Sequence, residues 1–134
     1  MFVSRSHEVP LDVFYDPEGG LYSQRRALVL VGEEPASGIP ALDEPGLKVL
    51  HVQEIDYETS CYTFLDCLRE IRNWSGDNPG HLPILVLVEA KDGVIDDPLD
   101  LGFTIPLAFD VAALDAIDDE VLSVFDPENL ITPD

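Results

Sequence analysis

The chain has 134 residues and 46% hydrophobic content, enough for one domain with a real core and against global disorder. Its 27 acidic against 7 basic residues leave a formal net charge of -20. That excludes a sequence-independent grip on nucleic acid and opposes adsorption to an anionic membrane surface, while it suits solubility and, locally, a hard cation such as calcium.

The N-terminus, MFVSRSHEVP, has no apolar signal core, and no apolar run approaches the ~20 residues of a bilayer span. Leu11–Tyr15 (LDVFY) alternates and reads as a short strand. Asp16-Pro17-Glu18-Gly19-Gly20 is a turn by chemistry, because proline presets φ and the paired glycines allow positive φ. Residues 21–45 hold one apolar run, Ala27–Val31, and otherwise read as a long loop, the kind that carries function.

Leu47–Val52 is a strand candidate with His51 at its exit. Thr59 or Ser60 caps a helix expected to run to about Trp74, with Phe64, Leu65, Leu68 and Ile71 on its apolar face. Asp66, Arg69, Glu70 and Arg72 then face water. Ser75–Leu82 is a turn cluster that contains His81, a structural or solvated histidine. Pro83–Val88 (PILVLV) has the continuous apolar pattern of a strand buried on both faces, and Glu89 and Lys91 follow it. Asp92–Phe103 is acidic and irregular, and Asp110–Phe125 is a second helix with Val111, Leu114, Val121, Leu122 and Phe125 on its apolar side. Cys61 and Cys67 are six apart. A disulfide between them requires Cys61 at or before the helix start, and two buried thiols fit the composition as well.

This order of elements implies an α/β fold with parallel strands, in which ligands gather beyond the carboxyl ends of the strands. His51, Glu89 and Lys91 stand at two such ends. Glu89 also ends a very apolar strand, where an unpaired charge is costly. From the residues alone, one reading is a non-catalytic acidic α/β module that binds a metal or a partner through an exposed sheet edge.

The pieces DVFYDPEGGLY, LKVLHVQEIDYETSCYTFLDCLREIRNWS, HLPILVLVEAKD and FDPENLITPD closely resemble the bacterial calcium-dependent, phosphatidylinositol-specific phospholipase C family. The resemblance covers residues 9–134, and HVQEIDYETSCYTFLDCL together with VEAK is its most specific part. It implies a slice of a TIM-type (β/α) barrel, with residues 1–134 forming one incomplete barrel domain. It also implies Ca2+ as cofactor and a phosphoinositide headgroup as substrate, cleaved to diacylglycerol and inositol cyclic phosphate at a membrane surface. The resemblance makes His51 a catalytic histidine, Asp12 and Glu89 metal ligands, and Lys91 a phosphate or inositol contact. It pairs Cys61 with Cys67 in a disulfide, in keeping with a family whose members are largely exported. Two departures stand out. Pro10 occupies the place of the family's Glu in its E-x-D metal pair, with Glu8 two residues away. The family's first catalytic histidine has no counterpart, since His7 does not match that motif.

Overall fold

The alternation in Glu8–Phe14 decides which side of the sheet becomes core. In the structure, a computed structural model described over residues 8–132, this segment is strand β1. Val9, Leu11 and Val13 point to one side, and Pro10, Asp12 and Phe14 to the other, as the two-residue period of a strand requires. Strand β2 is Lys48–Val49 and strand β3 is Leu85–Ala90, and the sheet order is β2-β1-β3. His7 and residues 133–134 lie outside the described residues.

The sheet is mixed, not all-parallel as the sequence suggests. Strand β3 runs parallel to β1, with Asp12 opposite Glu89, but β2 runs antiparallel to it. The turn after β1 is the cause. Asp16 O accepts from Gly46 N at 2.8 Å, so the chain that leaves β1 returns beside it without a crossover helix. Gly19, at φ 81°, sits against the backbone of Asp43 and Glu44, where a side chain has no room. The segment expected to be one long loop contains two short 3-10 turns, Arg26–Val31 and Pro40–Leu42.

Helix α1, Phe64–Asp77, starts later than expected and ends three residues beyond Trp74. Its N-cap is Thr63, whose hydroxyl accepts from Asp66 N at 3.1 Å, not Thr59 or Ser60. Residues before Thr63 are committed elsewhere. Val49 N donates to Tyr62 O, and Cys61 is joined to Cys67 by a disulfide with Cα atoms 5.3 Å apart. Cys61 thus precedes the helix, the condition such a bridge requires, and closing so short a loop stabilises by roughly 2 kcal/mol.

Helix α2, Val111–Val124, is capped by Asp110, whose carboxylate accepts from Ala113 N at 3.0 Å. Its core side runs through Ala113, Ile117, Val121 and Val124, with Phe125 packing just beyond. Val111, Leu114 and Leu122, expected on that side, are exposed. No helix among the described residues is long and apolar enough to cross a membrane.

Both helices belong to the cluster that packs Leu11, Val13 and Val49 of the sheet against Phe64, Cys67 and Leu68 of α1 and Val124 of α2. Val86 and Val88 of β3 join it from the same side. Strand β3 is therefore not buried on both faces, as PILVLV suggests. It is an edge strand, and Leu85 and Leu87 on its other face are 61% and 50% exposed. On that second face a smaller cluster of Phe14, Tyr22, Leu42, Leu50 and Tyr57 covers only the β1–β2 end.

Candidate functional site

The face of the sheet away from the helices carries the polar residues. Asp12 and Glu89 are partners across the parallel β1–β3 ladder, so their side chains emerge together. Lys91 N continues the ladder by donating to Val13 O at 2.8 Å. Two residues beyond Glu89, its side chain returns to the same face. Lys91 Nζ lies 3.5 Å from Asp12 Oδ2 and 3.4 Å from Glu89 Oε1. The structure thus brings three of the four sequence-derived site residues into one cluster.

His51 approaches from the other flank of β1. Leu50 N donates to Asp12 O, and the chain then leaves the sheet and puts His51 at the surface. Its Nδ1 lies 3.0 Å from Asp56 Oδ2, across a tight turn closed by the Val52–Asp56 bridge. A carboxylate can only accept, so the proton of this contact sits on Nδ1. His81, by contrast, is fully engaged. Its Nδ1–H donates to Leu82 O, and its Nε2 accepts from Ser75 Oγ at 2.6 Å.

The turn after His51 contains residues that the sequence reading passed over. Glu54 is fully buried with φ at 69°, a backbone setting that is costly for a side-chain-bearing residue. Its carboxylate accepts from Arg26 N at 2.6 Å and from Thr104 N at 2.7 Å, and the Arg26 guanidinium lies 3.6 Å away. Gln53, also buried, donates to Gly93 O at 2.8 Å. These two neighbours tie the His51 turn to the loop after β1 and to the loop after Lys91. The second loop is shaped from within, because Asp97 accepts from the amides of Leu101, Gly102 and Phe103, and those bonds hold its carboxyl below its ordinary range. Nothing local in the sequence marks them, because a Gln-Glu pair two residues past a histidine reads equally well as a solvated turn.

Asp12 and Glu89 offer hard carboxylate oxygens of the kind that calcium prefers, so they fit such a cation in chemistry. In number they are two, and no group of three or more His, Cys, Asp or Glu among the described residues could hold a metal ion. Glu8 lies at the far end of β1, opposite Leu85 and four residues from Asp12, so it does not take the place that Pro10 leaves open. A separate cavity of about 290 Å³ lies between α1, α2 and the entry to β2. It is lined by Glu44, Asp66, Arg69 and Glu120, among others, and contains none of these site residues.

No curated protein and no solved structure matches the chain significantly. One family profile does, that of the Ca2+-dependent phosphoinositide phospholipases C, over residues 4–134. With the match spanning almost the whole sequence, the chain belongs to the Ca2+-dependent phosphoinositide phospholipase C family.

Proposed function

We propose that residues 1–134 form one incomplete barrel domain bearing part of a phosphoinositide phospholipase C site. In this reading Asp12 and Glu89 are ligands of a calcium ion, His51 is an acid or base, and Lys91 contacts the phosphate or the inositol ring. The observation that carries it is the register of Asp12 against Glu89, with Lys91 in contact with both, on the sheet face that the helices leave uncovered. The parallel β1–β3 pair is compatible with a slice of a TIM-type barrel, to which the antiparallel β2 would not belong. Helices cover one side of such a sheet, and the other side faces the barrel interior, to which exposed Leu85 and Leu87 would belong.

The chemistry is phosphodiester cleavage by an internal nucleophile, the inositol 2-hydroxyl, with a diacylglycerol oxygen as leaving group. The substrate places the reaction at a membrane surface. His51 suits proton transfer at neutral pH, and Asp56 would orient its ring and stabilise the imidazolium. A bound calcium ion would lower the hydroxyl pKa and balance charge on the phosphate oxygens. Lys91 would hold a positive charge beside the phosphate as its negative charge grows.

A second reading has one observation in its favour. With two carboxylates and a lysine, the cluster resembles an ordinary ion-pair network, as a non-catalytic acidic module would carry. Calcium titration by calorimetry on the whole chain separates the two. The site reading expects micromolar to low-millimolar binding that Glu89→Gln weakens at least tenfold. Binding that the substitution leaves unchanged, or no binding in any variant, overturns it.

A further inference from the structure

His51 and Lys91 come from strands that do not touch. Strand β2 lies on one flank of β1 and β3 on the other, so the sheet itself does not bring the two side chains together. The link between them is made by the turn after His51. Gln53 donates to Gly93 O at 2.8 Å, and Glu54 accepts from Thr104 N at 2.7 Å, both in the loop after β3. We propose that Gln53 and Glu54 are positioning residues, which fasten the His51 turn to the exit of β3 and so hold His51 and Lys91 over one ligand. The inference rests on the site reading above for what that ligand is, and adds to it the device that joins the two halves of the site.

The reach is short. His51 is two residues before Gln53, and Lys91 is two residues before Gly93. Each therefore lies within about 7 Å of backbone from the Gln53–Gly93 bond. At the other end the turn is tied to the loop after β1, because Glu54 also accepts from Arg26 N at 2.6 Å. Arg26 Nη1 in turn donates to Thr104 Oγ1 at 3.0 Å, so the partners of Glu54 are joined to each other. The loops that follow all three strands meet at this one carboxylate.

The turn carries two costs that a plain chain reversal avoids. Glu54 holds φ at 69°, a strained setting for a residue with a side chain, and its carboxylate is fully buried. Inside the turn, the Val52–Asp56 bridge closes the backbone, but the groups that satisfy Glu54 come from Arg26 and Thr104. The strain persists because those distant partners over-determine the conformation. Buried hydrogen bonds with fixed partners then hold His51 in one place, although its own ring is at the surface. A reacting group misplaced by ~1 Å can lose on the order of a hundredfold in rate, which is what such a tie prevents.

The test follows the Cε1–Hε1 cross-peak of His51 by NMR at fixed pH and low salt, with and without Lys91→Met. Four chains are compared: the unmodified one, Gln53→Met, Glu54→Gln and Thr63→Ala. Gln53→Met keeps the length of the side chain and leaves Gly93 O, on an exposed residue, to water, so it tests the tie even where Glu54→Gln fails to fold. Thr63→Ala weakens the cap of α1 and is the purely structural control. Positioning expects the Lys91 substitution to move the His51 peak in the unmodified chain and in Thr63→Ala. It expects that response to be lost in Gln53→Met and Glu54→Gln. A response that is absent from the unmodified chain, kept in Gln53→Met, or lost equally in Thr63→Ala overturns the inference. The calcium calorimetry described above fails independently. Binding that Glu89→Gln leaves unchanged overturns the site reading, while a His51 response that depends on Gln53 still upholds the tie.

Discussion

Strand β1 has a lysine–carboxylate contact on each flank, and the two are built for different work. On the β2 side, Lys48 is fully buried against Asp16, itself 2% exposed, at 3.3 Å. Its ammonium also donates to the carbonyls of Glu44 and Gly46, so three oxygens surround the buried charge. Asp16 in turn accepts from Leu21 N, and its carbonyl accepts from Gly46 N. On the β3 side, Lys91 and Asp12 are only 28% and 21% exposed, yet their contacts are long and the second carboxylate, Glu89, stands in solvent. A buried, fully satisfied pair cannot exchange partners without leaving a bare charge in the core. A loose, half-exposed one can, which is the property a site needs.

Lys48→Met tests this contrast most severely. It leaves Asp16 buried without its counter-charge, and breaking such a pair costs about 3–5 kcal/mol. Urea denaturation should show a large fall in midpoint or an unfolded chain. A loss under ~1 kcal/mol would mean that water reaches Asp16 and the pair is not the staple it resembles.

Glu54→Gln comes next. The amide that replaces one carboxylate oxygen cannot accept from both Arg26 N and Thr104 N, so a buried donor is orphaned at a cost of roughly 2 kcal/mol. Hydrogen exchange should speed up at the Arg26 and Thr104 amides while α1 stays protected. Uniform change across the chain would mean that the turn after His51 is not a local clamp.

Lys91→Met should do least to stability. Partly exposed ion pairs contribute ~1 kcal/mol or less, and losing this one leaves repulsion between two carboxylates that water already screens. Thermal melting in low salt should move by only a few degrees, and added calcium should restore the loss. A destabilisation as large as that of Lys48→Met would erase the distinction between the flanks.

The elements themselves were legible in the chain. Alternation in LDVFY marks β1, helical spacing of Phe64, Leu68 and Ile71 marks α1, and Asp110 announces the start of α2. His51, Glu89 and Lys91 could be nominated because they stand at the ends of strand candidates, and Asp12 only because the chain resembles a family with an E-x-D pair at that place. The cluster of buried residues around Glu54 was not legible, since nothing local distinguishes a buried glutamate from a solvated one in a charged turn. Its burial depends on the amides of Arg26 and Thr104, 28 and 50 residues away.

The sequence by itself determined the periods of β1 and α1 and the Asp110 cap of α2, which depend on residues a few positions apart, and it marked the family. Only the tertiary structure decided the direction of β2 and which face of β3 meets the helices. It alone also set Asp12 level with Glu89 and brought Lys91 within reach of both. Each of those depends on how distant strands align, and a shift of one residue in register would turn the same side chains to the opposite face.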